Sequence, residues 1–349
     1  MNITVIGAGI VGLSVAHELA SRGATVRIVD ARGVALGATR ASAGMLAPHI
    51  EGHSTAFLSL ATASLGLYDS FIDRVQGDAS LAVEYRRAGT LQVARNAMEA
   101  QQLRAEGRRL ALAHTPHTPL DAEGVRAMEP ALGTVVAGLF IPEHGYVGVR
   151  GLVSALVAAL AKHDVEVEKQ QVTDVNAIEA DAVVIAGGSW SGDLSLHGVR
   201  IPVRPIRGQL LHLRLPRPPA TRVLWGDGCY IVPWLDGSVL VGATTEDVGF
   251  DEMPTVAGVR ALLDAGRELL PELAAAGFLE VRVGLRPSTT DELPIIGASS
   301  TMRRVFYATG HYRNGVLLAP LTALGLADPI LDGRERPELA AARPDRFGL

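Results

Sequence analysis

The stretch Ile3-Thr4-Val5-Ile6-Gly7-Ala8-Gly9-Ile10-Val11-Gly12 restricts the fold of this chain more than any other. Ile3 to Ile6 is a short apolar run that predicts a strand, and Val11, Val15, Ala16 and Leu19 then recur at helical spacing. Ala24 to Val29 forms a second apolar run that ends at Asp30, so the opening segment predicts a compact βαβ unit with a right-handed crossover. Gly7, Gly9 and Gly12 stand where strand passes into helix. Gly7 permits the tight turn, Gly9 lets the backbone approach a pyrophosphate, and Gly12 allows close packing of strand on helix. The helix mouth, with Ile10 and Val11, offers unpaired N–H groups and a partial positive charge to that anion. Asp30, followed by Ala31, can accept from ribose hydroxyls, and an acid there opposes a 2′-phosphate. The glycines alone could mark only a tight turn, and the fingerprint does not choose between FAD and NAD.

The chain has 349 residues, more than one hydrophobic core usually supports, so two lobes are expected. A hydrophobic fraction of 48% with 20% charged residues predicts a folded enzyme rather than a disordered chain. The net charge of −5 is spread without a Lys/Arg cluster, which argues against a nucleic-acid partner. Cys229 is the single cysteine and cannot form an intrachain disulfide, in keeping with a reducing cytoplasm. Asn2 to Ile6 already reads as a strand of the fold, so a signal peptide is not expected. Gly315 to Ala327, the most apolar late stretch, falls short of the roughly 20 residues that span a bilayer and predicts a buried helix beginning near Gly315.

Helical patterning dominates Ser54 to Phe71 and Ala97 to Leu112, and Pro116, Pro119 and Pro130 predict loops. A helix over Leu152 to Ala161 and strands at Val165 to Val167 and Ala182 to Ile185 restore the alternating rhythm. Val203 to Leu215, Cys229 to Pro233 and Ser238 to Thr244, with the turn Asp236-Gly237, predict a mixed or antiparallel sheet. Arg303 to Ala308 predicts a last strand, and the residues from about Arg334 read as a frayed tail. His49, His53, His144 and His311 lack metal-ligand spacing, so no metal is expected. No G-x-S-x-G elbow is present, so a serine hydrolase is not supported.

Four further segments stand in order along the chain: Arg40-Ala41-Ser42-Ala43-Gly44-Met45-Leu46-Ala47, Arg204-Pro205-Ile206-Arg207-Gly208-Gln209, Gly284-Leu285-Arg286-Pro287-Ser288-Thr289 and Gly310-His311-Tyr312-Arg313-Asn314-Gly315. With the glycine fingerprint they resemble the glycine oxidase branch of the D-amino-acid oxidase-like flavoproteins, from the first strand to Pro320. The resemblance implies FAD and an α/β fold of two lobes. A Rossmann-like FAD-binding domain would comprise residues 1–80, 140–200 and 285–349. A mixed or antiparallel-sheet substrate domain would comprise 81–139 and 201–284. It places Ala43, Gly44 and Met45 along the flavin, Ala38 and Thr39 near the diphosphate and ribityl chain, Val172 at the adenine, and Gly187, with Gly188 and Trp190, over the nucleotide. His311, Asn314, Gly315, Val316 and Leu317 would lie against the pyrimidine end of the ring, where a helix N-terminus at Asn314 to Val316 would stabilise negative charge.

Arg286 and Arg313 each sit beside Gly or Pro, in what reads as loop, and a guanidinium can hold a carboxylate through two parallel N–H bonds. The resemblance assigns them the substrate carboxylate, with Tyr230 adding a hydroxyl. Pairing of either arginine with a structural acid such as Asp291 is the alternative. Arg207 reads as a lobe-joining structural residue. Where related sequences often carry methionine beside the substrate this chain has Thr245, and Trp234 is also unusual.

The implied chemistry is hydride transfer from Cα of glycine, a small D-amino acid or an N-methyl amino acid to flavin N5, with no side-chain base required. An imine, then a 2-oxo acid and ammonia or amine, would follow, with O₂ accepting the electrons and hydrogen peroxide leaving. Thiamine biosynthesis is a role such proteins serve. A dehydrogenase with another acceptor, an NAD-dependent dehydrogenase and a non-catalytic flavin-binding subunit stand as alternatives. A homo-oligomer is open.

Overall fold

The computed structural model describes residues 1–50, 54–196 and 198–349, so His53 lies outside the described residues. Among these, three sheets form. In the first, β1 (Asn2–Ile6) lies between β2 (Thr25–Asp30) and β10 (Ala182–Ile185), parallel to both. β9 (Val167–Lys169) extends the sheet beyond β2, and β17 (Val305–Thr309) beyond β10, again parallel. β16 (Ile295–Ala298) closes the far edge antiparallel.

The central strand is buried on both faces from Ile3 to Ile6, which is why Ile3, Val5 and Ile6 are apolar on both sides of the pleat. Ile3 and Val5 face a core built with α1 (Ile10–Ser21), α6 (Val149–Ala161) and α8 (Ala319–Ala327). Also in that core are α2 (Thr55–Gly66) and α3 (Tyr68–Ala79), which bend by 44° at their junction. Ile6 faces the opposite side with Val175, Leu196 and Ile201. No single helix among the described residues is long and apolar enough to cross a membrane.

The second sheet runs β15 (Gly277–Ser288), β11 (Arg204–Arg214), β14 (Ser238–Gly242), β13 (Cys229–Pro233), β12 (Val223–Gly226), β5 (Thr90–Ala94), β7 (Ala137–Ile141) and β6 (Thr118–Asp121). It is mixed, because β12 and β5 pair in parallel while the other neighbours are antiparallel. One face carries a core closed by α5 (Ala122–Met128) and α7 (Val256–Leu269). α4 (Ala97–Leu112) packs its Leu110 on Leu139 and Ile141. A small sheet of β3 (Met45–Leu46), β8 (Gly145–Val147) and β4 (Tyr85–Arg86) completes the set.

α4 keeps the bounds its periodicity predicts. Asn96 Oδ1 accepts from Glu99 N–H at 3.0 Å while Glu99 Oε2 accepts from Arg95 N–H at 2.8 Å, a reciprocal cap of about 0.5–2 kcal/mol. Other expectations are corrected. Strand β6 stands where Pro116 and Pro119 predict a loop, and Pro119 is accommodated because β6 is an edge strand. Arg286 lies within β15 rather than in a loop, and β15 runs past residue 285 to Ser288. The last regular helix begins at Ala319, not near Gly315. Leu318 N–H closes one turn onto Asn314 O, but Ala319 N–H turns to Val316 O and Pro320 has no N–H, so the turn is not continuous with α8. The chain after Arg334 is not frayed. Leu339 fills the space above Gly325, Ala342 and Leu349 are fully buried, and Arg346 pairs with Asp291 at 2.8 Å.

Candidate active site

The carboxyl ends of the parallel strands converge on one place, where open α/β sheets bind ligands. Gly7 follows β1 at φ +115°, and a Cβ there would run into the carbonyl of Ala186. A Cβ on Gly12 would meet the carbonyl of Gly7, so strand and helix touch as the fingerprint requires. Gly9 faces space: its added Cβ would meet only Thr39 Oγ1, at 3.3 Å. Gly9 caps α1 without a side chain, and Thr39 Oγ1 accepts from Ile10 N–H at 3.0 Å. Asp30 Oδ2 accepts from Ala8 N–H at 2.8 Å, and Oδ1 from Arg32 and Gly33 N–H at 2.7 and 2.9 Å. Those bonds fix the carboxylate at the end of β2.

From this point a cavity of about 1120 Å³ extends past Val172, Gly187, Ala43 and Gly44 to the second sheet. Gly7, Gly9, Ile10, Val11, Asp30, Ala31, Ala38, Thr39, Met45, His311, Asn314, Gly315 and Val316 also line it. Two expected residues stand behind the wall instead. Gly12 packs under Gly7, and Leu317 is buried in the helical core with its carbonyl accepting from Ser64 Oγ at 2.7 Å. A glycine cradle, a helix mouth with glycine at its N-cap, an acid at the second strand and a cavity of this volume suit FAD.

At the other end lie Arg286, Arg313, Tyr230 and Thr245. Tyr312 N–H donates to Pro287 O at 2.8 Å, which fastens the turn holding Arg313 beside the strand holding Arg286. Arg286 Nη1 donates to Thr244 O at 2.9 Å, and its guanidinium lies flat over Gly208. Arg313 stands over the Tyr312 ring and donates from Nη2 to Thr245 Oγ1 at 3.2 Å. Tyr230 lies across Gly242, whose added Cβ would come within 2.5 Å of the phenol, and stacks on Trp225 at 5.4 Å.

Among the described residues, Asp291, Glu246 and Asp251 are held by other arginines. Asp291 pairs with Arg346, not with either cavity arginine. Arg207, 3% exposed, takes Glu246 and Asp251, each at 2.5 Å. The loop it anchors reaches the first sheet, where Glu252 meets Arg32 at 3.0 Å and Phe250 packs on Trp190, so Arg207 joins the lobes indirectly.

His311 donates or accepts through Nε2 with Thr322 Oγ1 at 3.0 Å, and burial holds its imidazole down at about 3, hence neutral. Burial pushes the Cys229 thiol up to about 12, so it lines the cavity as a thiol. Sequence reasoning missed Gln92, Trp225, His49 and Gly208, which also line the cavity. His49 stacks on buried His144 with their centroids 5.3 Å apart and Nδ1 3.0 Å from Nε2. The one local signal for Gln92 is a polar residue inside the apolar strand Thr90–Ala94.

The family model described as FAD dependent oxidoreductase matches residues 2–328, and the chain belongs to that family of flavoenzymes. It is 31% identical to the glycine oxidase of Geobacillus kaustophilus over 358 residues, 97% of this chain and 94% of that protein. The crystal structure of that oxidase superposes with a TM-score of 0.91 over 98% of this chain and 97% of the other, at 30% identity. The bifunctional protein ThiO/ThiG of Trichormus variabilis is 35% identical over 99% of this chain, which spans 55% of that longer protein.

Proposed function

We propose that this flavoenzyme oxidises glycine, sarcosine or a small D-amino acid at Cα, with dioxygen as electron acceptor. Bound FAD supplies a two-electron acceptor for the hydride of the substrate carbon, and the electrons leave as hydrogen peroxide. The observation that carries the reading is the bond from Tyr312 N–H to Pro287 O, which sets Arg286 and Arg313 on one cavity with Tyr230.

Arg286 and Arg313 hold the carboxylate by charge-assisted N–H bonds, and the Tyr230 hydroxyl adds a third donor. Trp225 stiffens Tyr230 and walls off water. The amine reacts in its neutral form without a side-chain base, and the residues supply orientation rather than proton transfer. The imine leaves and hydrolyses to the 2-oxo acid and ammonia, or to that acid and methylamine in the case of sarcosine, or is consumed in thiamine biosynthesis. The nucleotide-binding unit is assigned to 1–80, 140–200 and 285–349 and the substrate unit to 81–139 and 201–284. A reducing cytoplasm accords with the buried thiol of Cys229.

Anaerobic mixing with glycine, sarcosine and D-alanine tests the reading. Bleaching of the flavin bands, followed in air by oxygen uptake and peroxide, is expected. Bleaching without peroxide would reassign the protein as a dehydrogenase, and no bleaching by any amine would remove the proposed activity.

A further inference from the structure

The second sheet turns one cross-strand row toward the cavity. Gln92 pairs with Trp225, Trp225 with Tyr230, Tyr230 with Gly242, and Gly242 with Leu210. Residues directly opposite in neighbouring strands share a face, and all five line the cavity. Tyr230 belongs to the proposed carboxylate grip. Gln92 ends the row two strands away, about 10 Å across the sheet.

Gln92 is 8% exposed, and its Nε2 has no hydrogen-bond partner. Among the described residues seven buried side-chain atoms lack a partner, and of the residues that carry them Gln92 is the one that lines the cavity. Native proteins satisfy nearly all such atoms, so the Gln92 amide marks a place where a guest completes the bonding.

The charge at this end of the cavity narrows the guest. Glu99 and Glu106 of α4 line this end, and their cations are committed: Arg109 to both oxygens of Glu106, and Arg95 to Glu268 and Glu99. A second carboxylate would meet these acids, and among the described residues Arg95 and Arg109 already hold carboxylates. The geometry points to a second subsite in which Gln92, walled by Trp225, receives an uncharged hydroxyl or carbonyl borne on the substrate's nitrogen or side chain. The subsite rests on the carboxylate reading of the arginines.

Calorimetric titration of the FAD-loaded protein with two non-oxidisable acids of equal length tests this. (2-Hydroxyethoxy)acetate is expected to bind about tenfold tighter than propoxyacetate, because only the first can pair with the amide. In Gln92→Met, nearly isosteric, the ratio should fall to about one, with Gln92→Leu as a second variant if flavin content shows the first to be misfolded. Equal binding of the two acids, a ratio unchanged in the variants, or tighter binding of (carboxymethoxy)acetate would overturn the subsite and leave the arginine grip standing. Binding of neither acid, or binding indifferent to Arg286→Ala, would overturn both.

Discussion

Replacing Gly208 by alanine tests the carboxylate site without altering either arginine. The new Cβ would lie 2.5 Å from Arg286 Nη1 and closer still to Cζ and Nη2. Ordinary carbon contacts begin at about 3.5 Å, so the guanidinium must move by about 1 Å or more. It is the tip of a flexible side chain, and the fold should absorb the methyl at under about 1 kcal/mol. The cost falls on function. Arg286 would surrender its bond to Thr244 O and the alignment that bond maintains. One charge-assisted hydrogen bond contributes about 1.5–3 kcal/mol, so KM for glycine or sarcosine should rise about 10- to 150-fold. Anaerobic flavin reduction over a range of substrate concentrations measures this, with the thermal midpoint as control for folding. In an Arg286→Ala background the same alanine should add nothing, since the group it displaces is gone. A KM within twofold of the parent, or an undiminished effect in that background, would refute the reasoning.

Two further outcomes follow from the charged and titratable groups. Burial lowers His311 to about 3 and His144 well below its ordinary value, against about 6.5 in the unfolded chain. Their stabilisation is complete above pH 6.5 and declines as pH falls below 6.5, for His311 down to about 3, because the unfolded chain binds protons the native state refuses, by up to about 1.4 kcal/mol per pH unit for each. The thermal midpoint should therefore drop between pH 6.5 and 5 and drop less in His311→Asn; a flat profile would contradict the assignment. Arg207→Met should destabilise the protein by about 3 kcal/mol in urea, since Glu246 loses its buried partner, and should expose the 246–253 loop to protease.

The glycine cradle was legible because its signals are local: three glycines, a strand on one side, a helix on the other and Asp30 at a fixed remove. α4 was legible because Asn96 caps it and its sequence keeps one period throughout. β15 was not, since its twelve residues hold Gly284 and Pro287 and gain strand character only by pairing with β11. The tail misled because Leu339 and Leu349 are single apolar residues whose burial depends on Gly325 and Ser300 far away in sequence. Arg286 and Arg313 could be picked by their settings and by resemblance. Gln92 and Trp225 could not, because only the parallel register of β5 and β12 sets them beside Tyr230.

That register divides labour within single strands. Gln92, Trp225, Tyr230 and Gly242 look into the cavity, while Leu91, Leu224, Ile231 and Val241, one position away, face the closed core behind them. Natural variation can therefore retune which guest is welcome by exchanging alternate letters of the chain, leaving the scaffold's own requirements untouched. An insertion of one residue into β12 would do the reverse, trading palette for foundation in a single step.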